Sequence, residues 1–187
     1  KLPIIDISQN ELVNNELSPF QAACKNGIKS IMVGHIVIPS IDDHSVPSTF
    51  SKKITQNILR DNWNYDGLII TDALEMGALT STTWHGESAI RAIEAGADIV
   101  LLPLKAKAAI YSIVRAVKSG RISAERINSS YERIIREKTN LGLFNNDTMD
   151  TNWQNVENMV GLSNHKKISR EIAEKSITLI NNNLNII

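Results

Sequence analysis

The sequence predicts an α/β fold built on a parallel sheet. Three short runs, residues 30–35, 67–72 and 98–103, are rich in Ile, Val and Leu and bounded by turn residues or Gly, the pattern of buried strands. Each run is continuously apolar rather than alternating, which suits a parallel sheet covered on both faces. Helical patterns separate the runs, and each interval is long enough for a right-handed crossover. These features do not separate a barrel from a doubly wound sheet, and three strands are fewer than either needs as a complete domain.

In chain order, Ser8 and Glu11 have capping-box spacing ahead of Leu12 and Val13. Ser18 and Pro19 read as the cap and first residue of a second helix carrying Phe20, Ala23 and Cys24, with Gly27 closing it. After the first strand, Ser51 opens a helix with Ile54, Ile58 and Leu59 on one face. The second strand leads to a short helix over 87–95, closed by Gly96. Past the third strand, 105–119 place Ala106, Ile110, Ile113, Val114 and Val117 on one stripe, with Gly120 beyond. Ser123 caps the next helix, Ile122 and Ile127 form its hydrophobic staple, and Tyr131, Ile134 and Ile135 continue its apolar face. Residues 145–158, rich in Asn, Asp and Thr, read as a linker or surface loop. A helix over about 164–175 follows, and 176–180 read as the opening strand of a further element.

Composition removes several function classes. With 187 residues, 42% apolar and 21% charged, the chain suits a globular domain with one core. Lys plus Arg and Asp plus Glu both number 20, so no general field draws nucleic acid or an anionic membrane, and neither is expected as a partner. Lys105, Lys107, Arg115 and Lys118 read as a solvated helix face. No apolar run approaches the ~20 residues of a membrane span. Cys24 is the one cysteine, the four His lack close metal-ligand spacing, and there is no Gly-rich phosphate loop, HExxH, paired CxxC or Gly-x-Ser-x-Gly. No metal and no cofactor are expected. The opening Lys1-Leu2-Pro3-Ile4-Ile5-Asp6 has no signal-peptide plan and no initiator Met, and the compartment stays open between cell envelope or periplasm and cytoplasm.

The most informative stretch is 66–76, where the apolar strand delivers Asp72 at its C-terminal end. Catalytic groups of α/β barrels sit at that end, although Asp is also a favoured helix cap. Gly67 to Met76 resembles the nucleophile segment of glycoside hydrolase family 3, a strand ending in Ser/Thr-Asp with Met four residues on. The surroundings agree in order: Ile31-Met32-Val33-Gly34-His35-Ile36 with Pro39 and Asp42, the helix from Ser51 through Leu59-Arg60 to Trp63, and Arg91-Ala92 through Ala95-Gly96-Ala97-Asp98 to Leu101-Leu102. Arg133, Ile134, Lys138 and Leu141-Gly142-Leu143-Phe144 resemble the family's barrel exit, and 173–179 resemble the entry to a second domain.

The resemblance implies that 1–144 form the C-terminal half of a TIM-type (β/α)8 barrel. Residues 145–187 would then be linker, helix and first strand of a following domain. It implies a retaining β-glycoside hydrolase with Asp72 as nucleophile, a chemistry that needs two groups about 5 Å apart. Ala73 stands where β-glucosidase-like members often carry Trp, so the sequence is similar to the N-acetyl-β-glucosaminidase branch. That branch acts on terminal N-acetyl-β-D-glucosamine, as in peptidoglycan fragments. The alternatives are a β-glucosidase or β-xylosidase of the same family, or a non-catalytic fragment. The branch's Asp–His acid/base dyad and its Lys-His-Phe-Pro-Gly segment are not in this sequence, and Leu2-Pro3-Ile4-Ile5-Asp6 resembles the stretch just after the dyad loop. The expected partners are therefore a carbohydrate substrate and an upstream N-terminal half of the barrel. Without that half the chain is expected to associate or aggregate through unpaired edges. By the same resemblance Met76 and His35 are substrate-side candidates, with a gap-filling Met and a satisfied core histidine as the plainer readings, and Trp84 and His85 could reach the pocket mouth, with a surface loop as the default. Asp42-Asp43-His44 is a possible substitute dyad, with a solvated loop as the plainer reading. His165 reads as a solvated helix residue.

Overall fold

The computed structural model describes residues 2–76, 79, 85–144 and 153–180. The chain divides into two compact units, Lys1–Leu141 and Gly142–Ile187. Among the described residues it is mixed α/β, mostly helical with two parallel strands. No described helix is long and apolar enough to cross a membrane.

In the first unit the Ser8 hydroxyl accepts from the Glu11 backbone N–H at 3.2 Å and starts α1 (Gln9–Glu11). The helix runs on as a wider turn over Leu12–Glu16, where Leu17 N–H reaches Leu12 O, five residues back, at 2.8 Å. Pro19 lies in the first turn of α2 (Ser18–Lys25), where its missing N–H costs no hydrogen bond. Strand β1 (Ser30–Val33) leads to a buried turn at Ser48–Phe50 and to α3 (Lys53–Asn62), also wound at the wider spacing. Of the apolar face expected on α3, Leu59 is buried and Ile54 and Ile58 partly so, with Thr55 completing the buried side.

Strand β2 (Leu68–Thr71) pairs in parallel with β1, in register from Ser30 opposite Leu68 to Val33 opposite Thr71. The third expected strand is reduced to one parallel bridge, Ile70 with Ile99. The reason lies on the neighbouring strand: the Thr71 side-chain hydroxyl, not a backbone carbonyl, receives the Leu101 N–H at 2.9 Å. The backbone then turns through φ +41° at Leu102. The ladder therefore ends where the loop begins.

Helices α4 (His85–Ala95), α5 (Ala106–Lys118) and α6 (Ala124–Asn140) cover the sheet's flank. Gly96, at φ +133°, ends α4 in a conformation L side chains rarely adopt. The buried side of α5 is Ala109, Ser112 and Ala116, whereas Ile110 and Val114 of the expected stripe face outward. Small residues let α5 approach Ala89 and Ala92 of α4 closely, and that proximity outweighs the larger apolar stripe. Ser123 caps α6, accepting from Arg126 N–H at 3.1 Å, and Ile122 and Ile127 share a cluster with Ile90 and Ile93. Tyr131, expected on the apolar face of α6, is 62% exposed instead. The main core joins Phe50, Leu59, Tyr65, Ile69, Leu74 and Leu79, each large apolar side chain contributing about 1.5–3 kcal/mol.

In the second unit, α7 (Trp153–Glu157) forms inside the stretch expected to be loop, and 145–152 lie outside the described residues. Helix α8 (Ser163–Ser176) carries Arg170–Glu174 and Glu171–Lys175 pairs one turn apart. The strand expected at 176–180 does not form among the described residues. The helix takes Ser176, and 177–180 have no ladder partner, leaving Ile180 94% exposed; a strand exists only by pairing.

Candidate active site

Parallel pairing carries β2 one residue past its last ladder position. Asp72 N–H donates to Val33 O at 3.0 Å, so Asp72 emerges at the C-terminal end of β2, partly exposed. Its Oδ1 accepts the Ala73 N–H at 2.7 Å. Among the described residues none donates a hydrogen bond to Oδ2. The following turn is held on the far side: Leu74 N–H donates to Leu101 O at 3.0 Å and Glu75 N–H to Leu102 O at 3.1 Å. Met76 closes the turn by donating its N–H to Ala73 O at 3.1 Å, and its side chain is 44% exposed.

His35 follows β1 by two residues and is 4% exposed. Its Nε2 lies 2.9 Å from Ala73 O and its Nδ1 2.6 Å from Thr49 Oγ1. Both ring nitrogens are thus engaged by the protein, and the sugar contact anticipated for His35 meets a ring turned inward. Thr49, in the buried Ser48–Phe50 turn, gave no sequence signal. Its role depends on a contact 14 positions away from His35.

The Asp42 and Asp43 carboxylates are taken up by nearby side chains. Asp42 Oδ2 accepts the Ser51 hydroxyl at 2.6 Å and Oδ1 lies 3.4 Å from Lys53 Nζ. Asp43 Oδ1 accepts from the Ser45 N–H and hydroxyl at 2.8 and 2.7 Å. None of these bonds involves His44. Trp84 and the His85 side chain lie outside the described residues, and His165 is exposed on α8. A hollow of about 280 Å³ lies beside β1, lined by Leu12, Phe20, Met32, Ile36, Ile58 and Trp63 among others, and does not include Asp72. Among the described residues no three His, Cys, Asp or Glu side chains converge as a metal site would require.

The other end of β2 holds a cluster that the sequence does not announce. The fully buried Asp98 carboxylate meets Arg60 at 2.6 Å, Arg133 at 3.2 Å and Arg126 at 3.7 Å. It also accepts from the Ser130 hydroxyl at 2.7 Å and the Ile69 N–H at 2.9 Å. Burial pushes the Arg60 and Arg126 guanidinium pKa values down, and Asp98 opposes that in both. This cluster anchors the base of β2, while Asp72 leaves its top.

Comparison with known proteins identifies the family. The glycosyl hydrolase family 3 N-terminal domain matches residues 1–137. The chain belongs to that family and corresponds to part of its catalytic domain. A β-N-acetylglucosaminidase/β-glucosidase of Cellulomonas fimi is 27% identical over 170 residues, covering 86% of this chain and 30% of that protein. A family 3 β-N-acetylglucosaminidase from Paenibacillus sp. str. FPU-7 superposes with a TM-score of 0.71 at 37% identity, over 74% of this chain and 27% of that one. A β-glucoside phosphorylase, BglX, superposes with a TM-score of 0.85 at 26% identity, over 98% of this chain and 35% of that one. The chain thus spans 27% to 35% of the length of these relatives.

Proposed function

We propose that this chain is the nucleophile-bearing, C-terminal half of a (β/α)8 barrel, residues 1–144, in a retaining β-glycoside hydrolase. Residues 145–187 then lead into a following domain. Asp72 is the nucleophile. Its Oδ2 attacks the anomeric carbon as the bond to the aglycone oxygen breaks, giving a glycosyl-aspartate ester. A general acid from the other half of the barrel protonates the leaving oxygen. The same group then takes a proton from water, which attacks the anomeric carbon, breaks the ester and frees Asp72. Met76 forms part of the sugar-side wall. What carries the reading is the placement of Asp72 at the C-terminal end of a parallel strand, the end where barrel enzymes hold their reacting groups.

The proposed substrates are terminal N-acetyl-β-D-glucosaminides such as peptidoglycan fragments. Ala73 supports this choice, since a small residue after the nucleophile leaves room where Trp would otherwise stand. The second reading is a β-glucoside- or β-xyloside-acting enzyme, favoured by the 98% coverage against a β-glucoside phosphorylase. The test is hydrolysis of matched aryl β-glycosides of N-acetylglucosamine, glucose and xylose by the complete native polypeptide and its Asp72→Asn variant. The proposal expects the first sugar to be preferred and Asp72→Asn to lose ~10⁴-fold or more, the scale of removing a covalent nucleophile. Preference for glucose or xylose selects the second reading, and undiminished turnover by Asp72→Asn refutes the nucleophile.

A further inference from the structure

We propose that His35 is a positioning residue of this site: it orients the Asp72 carboxylate through the Ala73 peptide and touches no sugar. The inference rests on the reading of Asp72 as nucleophile.

Ala73 O accepts only, so the 2.9 Å contact makes His35 Nε2 the donor. In the neutral ring Nδ1 is then an acceptor, and the Thr49 hydroxyl, 2.6 Å away and in a residue 1% exposed, is placed to donate to it. Ala73 O thereby sets which ring nitrogen carries the proton, and Thr49 partners the other. Gly34 O lies 3.0 Å from the same Thr49 oxygen and competes for its one proton.

The peptide linking Ala73 to Leu74 is pinned at both ends. Its carbonyl receives His35 from the β1 side, and its N–H reaches Leu101 O at 3.0 Å on the other. With that peptide plane held, the Ala73 backbone has little freedom to swing. The Ala73 N–H is the group that grips Asp72 Oδ1 at 2.7 Å. The chain of contacts runs Thr49, His35, Ala73, Asp72, and every link is a hydrogen bond of 2.9 Å or less. A misplacement of an attacking atom by about 1 Å costs ~10²-fold in rate, so a support of this kind affects chemistry without contacting the substrate.

The experiment compares His35→Ala, His35→Gln and Thr49→Val with wild type in the complete native polypeptide. Two quantities are read: the thermal midpoint, and the rate at which 5-fluoro glycosyl fluorides of the N-acetylglucosamine and glucose configurations label Asp72, per folded molecule and well below the midpoint. Fluoride departs without a general acid, so the rate reports attack by Asp72 alone. The proposal expects labelling slowed ~10–100-fold in His35→Ala. It expects partial loss in Thr49→Val, and substantial recovery in His35→Gln, whose amide N–H can reach the same carbonyl. A merely structural histidine would lower the midpoint and leave labelling per folded molecule unchanged. Wild-type labelling rates in His35→Ala, or in Thr49→Val where His35→Ala does not fold, overturn the proposal. A wild-type protein that neither probe labels at Asp72 overturns the nucleophile reading instead, and with it the premise.

Discussion

Thr71 Oγ1 accepts the backbone N–H of Leu101 at 2.9 Å, a side chain standing where a strand's carbonyl would ordinarily stand. This one bond ends the third strand's ladder and starts the segment whose carbonyls hold Leu74 and Glu75. Thr71→Val keeps the shape and removes the acceptor. It should cost about 1–3 kcal/mol, the penalty of an unmet backbone donor, as read by urea denaturation. A change within about 0.5 kcal/mol would mean that water replaces the hydroxyl.

Asp98 faces three guanidinium groups from full burial. Asp98→Asn leaves that positive charge uncompensated, and the expected loss is about 3–5 kcal/mol in denaturant unfolding. Asp66 also pairs with Arg133 and Arg136, at 3.1 and 2.8 Å, but its side chain is 66% exposed. Asp66→Asn should cost at most about 1 kcal/mol. Equal losses at the two positions would contradict the structure.

Gly67 lies against Tyr65, and a Cβ there would overlap the phenol ring. Gly67→Ala should destabilise the fold by about 1–3 kcal/mol through overpacking. Burial pushes the Tyr65 pKa up to about 12 from its ordinary 10.0. Ultraviolet titration against Tyr65→Phe should show one phenol ionising near that value, and Gly67→Ala should bring it down by opening the ring to water. Because the folded pKa is raised, this contribution is complete below pH 10 and is lost as pH climbs through about 12.

Acid should weaken the first unit through particular carboxylates. A hydrogen bond from Arg121 holds the Glu87 carboxyl below its ordinary value. Burial pushes Asp66 and Asp42 up, but bonds from Arg133 and Arg136, and from Ser51 and Lys53, outweigh it and leave both below theirs. The folded pKa values are depressed, so the stability is present above the unfolded values of 4.5 and 3.8 and fades as pH falls through the lower folded ones. The thermal midpoint should decline below about pH 4.5, with Glu87→Gln flattening the profile between there and pH 3. An unchanged profile in that variant would remove the Glu87–Arg121 pair as a cause.

Much of the local structure is legible in the sequence because its causes are local. Ser8 and Ser123 cap the helices they precede, since a cap needs only a hydroxyl three residues before an N–H. β1 and β2 declare themselves by unbroken apolar runs. What escapes depends on neighbours distant in sequence. The third run has strand composition, yet Thr71 intercepts its ladder. The stripe on α5 looks decisive until α4 offers Ala89 and Ala92 to Ala109, and Ile90 and Ile93 to Ala116. His35, at a strand's end, reads either as a wall of the site or as a satisfied core histidine, and only Thr49 and Ala73 show which way the ring turns. The Asp98 cluster draws arginines from α3 and α6, a convergence that no spacing rule contains.

In the proposed mechanism Asp72 forms the glycosyl-enzyme bond. The direct measurement is to treat the complete native polypeptide with 5-fluoro glycosyl fluorides in the N-acetylglucosamine and glucose configurations, then map the adduct by peptide mass. The ring fluorine slows turnover by destabilising positive charge at the anomeric carbon, so the intermediate accumulates. One sugar is expected on the peptide holding Asp72, absent in Asp72→Asn. A label on another carboxylate, or a folded and active protein that takes none, would contradict it.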